Sequence, residues 1–328
     1  MDLRSYGINT TLMDETSLNI RDDQVLTGTY SDGTFNLPSG KYSVERKLGE
    51  GSYGKIYEVM SETSGDLCAI KVQKYTSPEE FQDFVKEAIM NIILENASQT
   101  QPHGPYVQRF YEIAHGALHK LIFMRIEVLD GTLADLIDAH TPDENDTLIP
   151  NVLQQIAVIS EFLQTNLAMN HRDMKSNNIM YSMHGVIPRV KLIDLGFSCM
   201  TYKGIHISGG GIFPSTHTCN RKSRDLSFLL MELLLDFTDK MSPKLYETLR
   251  ELVKFKTHHS ECQMNSFCPQ EGFREWVNSY TFLNRKNIEN PHTTPKEIKT
   301  QMSEFKKKLK SARPTKRRRA TRKKHVFR

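Results

Sequence analysis

Hydrophobic and polar positions alternate from Tyr42 to Leu48 and again from Lys55 to Val59, which predicts two strands separated by a glycine-rich turn. Leu67 to Val72 reads as a buried strand interrupted by one lysine, Lys71. Ser77-Pro78-Glu79-Glu80 is a helix start signal, and Phe81, Phe84, Val85, Ala88, Ile89 and Ile92 give that helix an apolar face. Phe110 to Gly116 and Lys120 to Glu127 predict a strand pair, and Asn151 to Met169 a long buried helix. A polar loop, His171-Arg172-Asp173-Met174-Lys175-Ser176-Asn177-Asn178, follows it and leads into short strands ending at Val190-Lys191-Leu192-Ile193. A helix opens at Asp225 and runs to Phe237, and further helices are predicted over Pro243–Phe255, Pro269–Tyr280 and Pro295–Lys310. Residues 1–40, rich in Thr, Ser, Asp, Asn and Gly, read as a loosely structured extension with room for one hairpin.

The chemistry lies in the polar positions. Gly49-Glu50-Gly51-Ser52-Tyr53-Gly54 is a G-x-G-x-x-G stretch between two strands, an ordinary hairpin or a flap over phosphates. Ile56, Tyr57 and Val59 continue it as a strand rather than a helix, against a dinucleotide fold. A lysine inside an apolar strand needs an acidic partner or a route to water. Glu87, in the helix interior, is the preferred partner over Glu79, Glu80 and Asp83. Asp194, at the end of an apolar strand, is placed to hold a divalent cation.

In order, Gly49/Gly51/Gly54, Lys71, Glu87, His171-Arg172-Asp173, Lys175, Asn178 and Asp194-Leu195-Gly196 resemble the motifs of eukaryotic-type serine/threonine protein kinases. The resemblance spans about Tyr42 to Phe237, with Leu195 where the family carries Phe. It implies an α+β, bilobal protein-kinase fold, with a small β-rich N-lobe holding one helix (41–127) and a helical, shortened C-lobe (130–290). It implies transfer of the γ-phosphoryl of ATP to Ser or Thr hydroxyls of a protein substrate, with Mg²⁺. Asp173, Lys175, Lys71 and Glu87 would be catalytic, and Asn178 and Asp194 the metal ligands. Leu48, Gly49, Glu50, Gly51, Ser52, Tyr53, Gly54, Lys55, Ile56 and Ala69 would line the nucleotide beside Lys71. Ile126 would guard the back of the adenine pocket, and backbone groups of Glu127 and Leu129 would pair with the adenine edge. His171 would support the loop of Asp194, and Arg172 would meet a phosphate in the segment after Gly196, with Thr201, Ser208, Ser215 and Thr216 as acceptors.

One departure is the missing Ala-Pro-Glu after Gly196. Ser215-Thr216-His217-Thr218, then Ser223-Arg224-Asp225-Leu226, is loosely similar to the casein-kinase-1 and vaccinia-related group, with Asp225 bracing the catalytic loop. The short C-lobe and basic tail resemble kinases of large DNA viruses. Two further readings stand beside a protein kinase: an ATP-binding pseudokinase or scaffold acting through its tail, and a small-molecule kinase of similar fold.

Charge sharpens the division of the chain. Residues 296–328 hold 15 of the 43 Lys and Arg but 2 of the 39 acidic residues, so the rest carries a net charge of −9. The basic tail, 291–328, suits nuclear import, contact with nucleic acid or another polyanion, or plain solvation. No run approaches a membrane span, and the first residues lack the apolar core of a signal peptide. The five scattered cysteines argue for reduced thiols in a cytoplasmic or nuclear setting, in a host cell or virion if viral. His258, His259, Cys262 and Cys268 match no trusted zinc spacing, and Phe273, Trp276 and Tyr280 read as core.

Overall fold

In a computed structural model, residues 3–8, 20–51, 54–183, 185, 187–209, 219, 224–252 and 293–312 are described. The alternating segments form one seven-stranded antiparallel sheet in the order β1-β2-β3-β4-β5-β7-β6. Its strands are β1 Thr29–Ser31, β2 Thr34–Leu37, β3 Gly40–Gly51, β4 Gly54–Ser61, β5 Leu67–Lys74, β6 Phe110–Gly116 and β7 Leu121–Ile126. Helix α1, Pro78–Ser98, starts where Ser77 accepts a hydrogen bond from the Glu80 N–H and Pro78 takes the first helical position. Its stripe of Val85, Ala88, Ile89 and Ile92 packs into the same core as Ala69, Met124 and Ile126 of the sheet. The other face of the sheet buries Phe35, Leu37, Tyr42, Val59, Cys68, Ile70, Ala114 and Phe123.

Residues 3–8 and 20–40 are built into the lobe, and the one hairpin that the sequence left room for is present. β1 and β2 form a hairpin turned at Asp32-Gly33, both with positive φ (51° and 77°), the conformation that the tight hairpin turn demands. β2 then pairs with β3, so the sheet runs across residue 40. Upstream, Leu3, Ile8, Ile20 and Val25 are buried in the main core. The sheet curls until the segment before β1 meets its far edge: Thr27 bridges His115 of β6, and the His115 N–H donates to the Leu26 carbonyl at 2.8 Å. Apolar residues spaced widely in a polar segment gave too weak a period to show this.

The second lobe is helical around a three-stranded sheet, β8 Gly131–Thr132, β9 Ile179–Met183 and β10 Pro188–Leu192, in the order β10-β9-β8. Its helices are α2 Leu133–Asp138, α3 Pro142–Asn166, α4 Arg224–Asp236, α5 Pro243–Leu252 and α6 Pro295–Ala312. Thr141 and Glu144 form a reciprocal capping box at the start of α3. The helices read from Pro243 and Pro295 are present, described over Pro243–Leu252 and Pro295–Ala312, with residues 253–255 of the first outside the described residues. The helix read over Pro269–Tyr280, with Phe273 and Trp276, and the cluster of His258, His259, Cys262 and Cys268 lie outside the described residues.

The tail begins as part of the fold. Ile298, Met302 and Phe305 of α6 are buried, and its polar face is fastened to α3. Lys299 pairs with Glu161 at 2.6 Å, and Lys306 donates to Asn151 and Gln154 at 2.8 and 2.5 Å. Lys306 therefore serves packing rather than solvation alone, and burial pushes its ammonium down from the usual lysine range.

The expectation of free thiols is corrected at one pair. Cys199, opening β11 (Cys199–Tyr202), is bonded to Cys219, beyond the hairpin that β11 makes with β12 (Ile205–Ser208). The hairpin returns the chain so that the two Cα atoms lie 5.4 Å apart, within disulfide reach. Cys68 is a free, buried thiol. No helix among the described residues is long and apolar enough to cross a membrane.

Phe35 is fully buried and stacks with Tyr30 while meeting Phe123 edge-on. Phe35→Ala is expected to lower unfolding stability by about 3–5 kcal/mol in chemical denaturation, the usual cost of emptying an aromatic core site. An exposed, dispensable hairpin would lose less than about 1 kcal/mol on the scale of surface substitutions.

Candidate active site

Three elements converge at the cleft between the lobes. β5 carries Lys71, α1 carries Glu87, and the turn after β10 carries Asp194. Lys71 Nζ lies 2.7 Å from Glu87 Oε1 and 3.9 Å from Asp194 Oδ1. Burial works against the ammonium, but Glu87 and then Asp194 outweigh it and hold Lys71 above the usual lysine range. Glu79 and Glu80 stay in the first turn of α1, where Glu80 accepts hydrogen bonds from Thr76. Asp83 faces Lys86, so Glu87 is the acid that reaches the strand lysine.

The polar loop after α3 is held from three sides. Asp225, at the start of α4, accepts the backbone N–H groups of His171 and Arg172 at 2.8 and 2.9 Å and the Asn170 amide at 3.2 Å. This fixes Arg172 at φ 68°, a left-handed conformation that a side-chain-bearing residue keeps only under constraint. His171 Nε2 donates to the Ile193 carbonyl at 2.9 Å, tying the loop to the residue before Asp194, itself at φ 57°. Ser176 donates its N–H and hydroxyl to Glu232 of α4 at 2.6 and 2.8 Å. Burial pushes the Glu232 carboxyl up against those bonds.

Within this frame Asp173 Oδ2 accepts from Lys175 Nζ at 2.9 Å and from Asn178 Nδ2 at 2.8 Å. Both donors take the same oxygen. The Ile193 N–H donates to the Asn178 carbonyl at 3.0 Å, so Asn178 and Asp194 sit on adjoining backbone. Asp173, Lys175 and Asn178 thus form one contact group and Glu87, Lys71 and Asp194 another, joined through the backbone bond between Asn178 and Ile193. Of the four acceptors read from the sequence, Ser208 lies 3.2 Å from Arg172 Nη1, Thr201 is exposed on β11, and Ser215 and Thr216 are outside the described residues.

The glycine stretch joins β3 and β4 with Gly51 opposite Gly54, and Ser52 and Tyr53 at its tip are outside the described residues. A Cβ on Gly54, at φ 153°, would collide with the Val72 carbonyl oxygen of β5, so this position requires glycine for packing. Gly49 and Gly51 face open space. Glu50 pairs with Lys47 and approaches Lys55, all exposed, while Ile56 lies opposite Lys71 and Ala69 opposite Ile126. Leu48 is 40% exposed and Leu129 is buried.

The connector between the lobes departs from expectation at Glu127. Its N–H donates to the Arg109 carbonyl at 3.0 Å, and its carbonyl accepts from Gln108 Nε2 at 2.8 Å. Its carboxylate is held by Lys191 Nζ at 2.6 and 2.8 Å. Of the two residues read as adenine contacts, Leu129 alone keeps its backbone groups free of hydrogen bonds among the described residues. Gln108, Lys191, Ser176 and Glu232 were missed in the sequence. Glu232 had a signal: an acid between Met231 and Leu233 in an apolar helix needs a buried donor. A cavity of about 420 Å³ lined by Tyr106, Gln155 and Arg189 lies behind α3, away from this cleft.

A curled sheet carrying a lysine–glutamate pair, set above a helical lobe whose loop presents aspartate, lysine and asparagine, defines the bilobal protein-kinase fold. The model of the protein kinase domain matches residues 42–217, and the chain belongs to that family. It is 30% identical over 176 residues to the serine/threonine-protein kinase SSN3 of Chaetomium globosum, covering 52% of this chain and 33% of that one. It is 29% identical over 165 residues to an Aurora kinase of Saccharomyces cerevisiae, covering 50% and 41%. With the serine/threonine-protein kinase PAK 1 of Mus musculus the identity is 29% over 54% of this chain and 30% of the other. The chain thus spans well under half the length of these relatives. The crystal structure of the BubR1 kinase domain shares the fold, with a TM-score of 0.51 and 17% identity over 87% of each chain.

Asp225→Ala would strand three buried donors. It is expected to reduce unfolding stability by about 3–5 kcal/mol, as when one partner of a buried charged network is removed. Thermal denaturation of the purified chain measures it. Asp239→Ala, at an exposed site on a short turn, serves as the control and should shift stability by less than about 0.5 kcal/mol.

Proposed function

We propose that the protein is an ATP-dependent serine/threonine kinase that transfers the γ-phosphoryl group to hydroxyls of a protein substrate. The observation that carries this is the contact chain from Glu87 through Lys71 to Asp194, with Asp173 and Lys175 beyond Asn178. Lys71, kept charged by Glu87, would bind the α- and β-phosphates, and Lys175 would offset charge on the γ-phosphate. With Lys175 and Asn178 both on Oδ2, Oδ1 of Asp173 takes no protein donor among the described residues. That oxygen would orient the attacking hydroxyl and accept its proton.

Asp194, with its carboxylate 40% exposed, and the side-chain oxygen of Asn178, whose amide nitrogen is committed to Asp173, form an all-oxygen donor set. Such a set fits Mg²⁺. Those two residues would hold the ion, whose charge would screen the phosphates when bound. The glycine stretch from Gly49 to Gly54, with Leu48, Lys55, Ile56 and Ala69, would cover the nucleotide.

The choice of protein over small-molecule substrate is supported by the serine/threonine kinase relatives and by Lys175. Membership of the casein-kinase-1 or vaccinia-related group, or of viral kinases, is supported by the missing Ala-Pro-Glu and the tail. A cytoplasmic or nuclear location is supported by the tail alone, since the Cys199–Cys219 bond removes the thiol argument. Binding of nucleic acid or another polyanion is supported by the charge of residues beyond α6, and such binding should weaken steeply with salt.

Transfer of ³²P from ATP to casein and to a basic protein tests the reading. The parent chain is expected to label one or both. Asp173→Asn and Lys71→Met should each fall by at least about 10²-fold, the usual weight of a positioned acid-base or phosphate-binding group. If both variants label as well as the parent, these roles are wrong. Thermal stabilisation by ATP without any transfer would support an ATP-binding scaffold instead.

A further inference from the structure

Glu127 follows the last residue of β7, the strand that roofs the cleft, and its backbone groups are turned away from that cleft. The N–H reaches the Arg109 carbonyl and the carbonyl oxygen takes the Gln108 amide, at 3.0 and 2.8 Å. Both partners belong to the segment entering β6. The cleft lies on the other side, where Ala69 of β5 pairs with Ile126. Both backbone groups of Glu127 are therefore bonded on the β6 side, the N–H by a backbone carbonyl and the C=O by the Gln108 side chain.

Gln108 is itself fixed. It is 9% exposed, and its N–H donates to the Leu192 carbonyl at 3.1 Å. The Lys191 contacts to the Glu127 carboxylate, with the Arg109 N–H at 3.0 Å, anchor the other end of the residue. Among the described residues, the backbone groups of Val128 and Leu129 have no protein hydrogen bond.

We propose that Gln108 is a positioning residue that sets purine specificity. By holding the Glu127 carbonyl toward β6, it withholds an acceptor from the 6-amino group of the bound base. The base is then read by the Leu129 backbone and by apolar contact with Ala69 and Ile126. This inference rests on the nucleotide-dependent phosphotransfer proposed above. Its consequence is that a purine triphosphate lacking the 6-amino group serves nearly as well as ATP.

The experiment compares ATP with purine riboside triphosphate, which differs only by that amino group. KM and kcat are measured for both with the full chain and with Gln108→Leu, and dissociation constants by competition. For the unaltered chain the two KM values should agree within about threefold, since no hydrogen bond of ordinary worth distinguishes them. In Gln108→Leu the freed Glu127 carbonyl should favour ATP, widening the KM ratio to about tenfold with kcat unchanged. A merely weakened fold would scale both nucleotides alike and leave the ratio where it was.

An ATP preference of about tenfold or more in the unaltered chain overturns the inference. So does a ratio in Gln108→Leu within about twofold of the parent's. If Gln108→Leu does not fold, the parent's ratio decides alone. Absence of transfer with either nucleotide would defeat the phosphotransfer reading, while the two dissociation constants would still decide this one.

Discussion

The pairing of Lys71 with Glu87 joins a strand to a helix across the floor of the small lobe, and the rest of the cleft is arranged around it. Two charges that are mostly removed from water cost several kcal/mol each to bury, and close contact offsets that only when the geometry is held. The sheet holds Lys71 by ladder bonds to β4 and β7 on either side. The helix holds Glu87 by burying Val85, Ala88, Ile89 and Ile92 around it. Asp194 then enters as a second acid 3.9 Å from the same ammonium, with its side chain still 40% exposed.

The lower half of the site obeys a different constraint. The loop and the turn after β10 contain backbone in conformations that side-chain-bearing residues avoid, at Arg172 and Asp194. That at Arg172 persists because Asp225, outside the loop, accepts its N–H and that of His171, and that at Asp194 because His171 fastens the residue before it. Arg172 and Asp225 lie 53 residues apart in the chain, and His171 and Ile193 lie 22 apart, so the loop's shape belongs to the folded lobe and not to its own sequence.

That separation accounts for what could be read from the chain beforehand. Lys71, Glu87, Asp173, Asn178 and Asp194 were legible because a charge inside an apolar strand or helix, or a cluster of polar groups just after one, is costly unless a partner or a reaction requires it. Asp225 was read only from its resemblance to the kinase aspartate that braces the catalytic loop. The commitment of Glu127 to Gln108 and Arg109 was not legible, because a backbone carbonyl leaves no trace in composition and the side chain that holds it comes from a polar segment 19 residues away. The N-terminal hairpin was foreseen as a separate piece, but its pairing with β3 was not, because its alternation is short and weak. The disulfide was hidden because an odd, scattered set of cysteines says nothing of the hairpin that brings two of them together. The helix at Pro295 was legible by period, but its docking on α3 was masked by the lysines that carry it out.

The closing curl of the small lobe bears on how other molecules can approach it. An open β-sheet edge is a row of unpaired donors and acceptors that invites a foreign strand. Here the segment 26–28 lies along the β6 edge at His115, and Gly7 packs so close to the Ile113 carbonyl that any Cβ there would collide with it. Strand addition at that edge would have to displace the protein's own N-terminal residues, so recognition there by an extended peptide competes with folding itself.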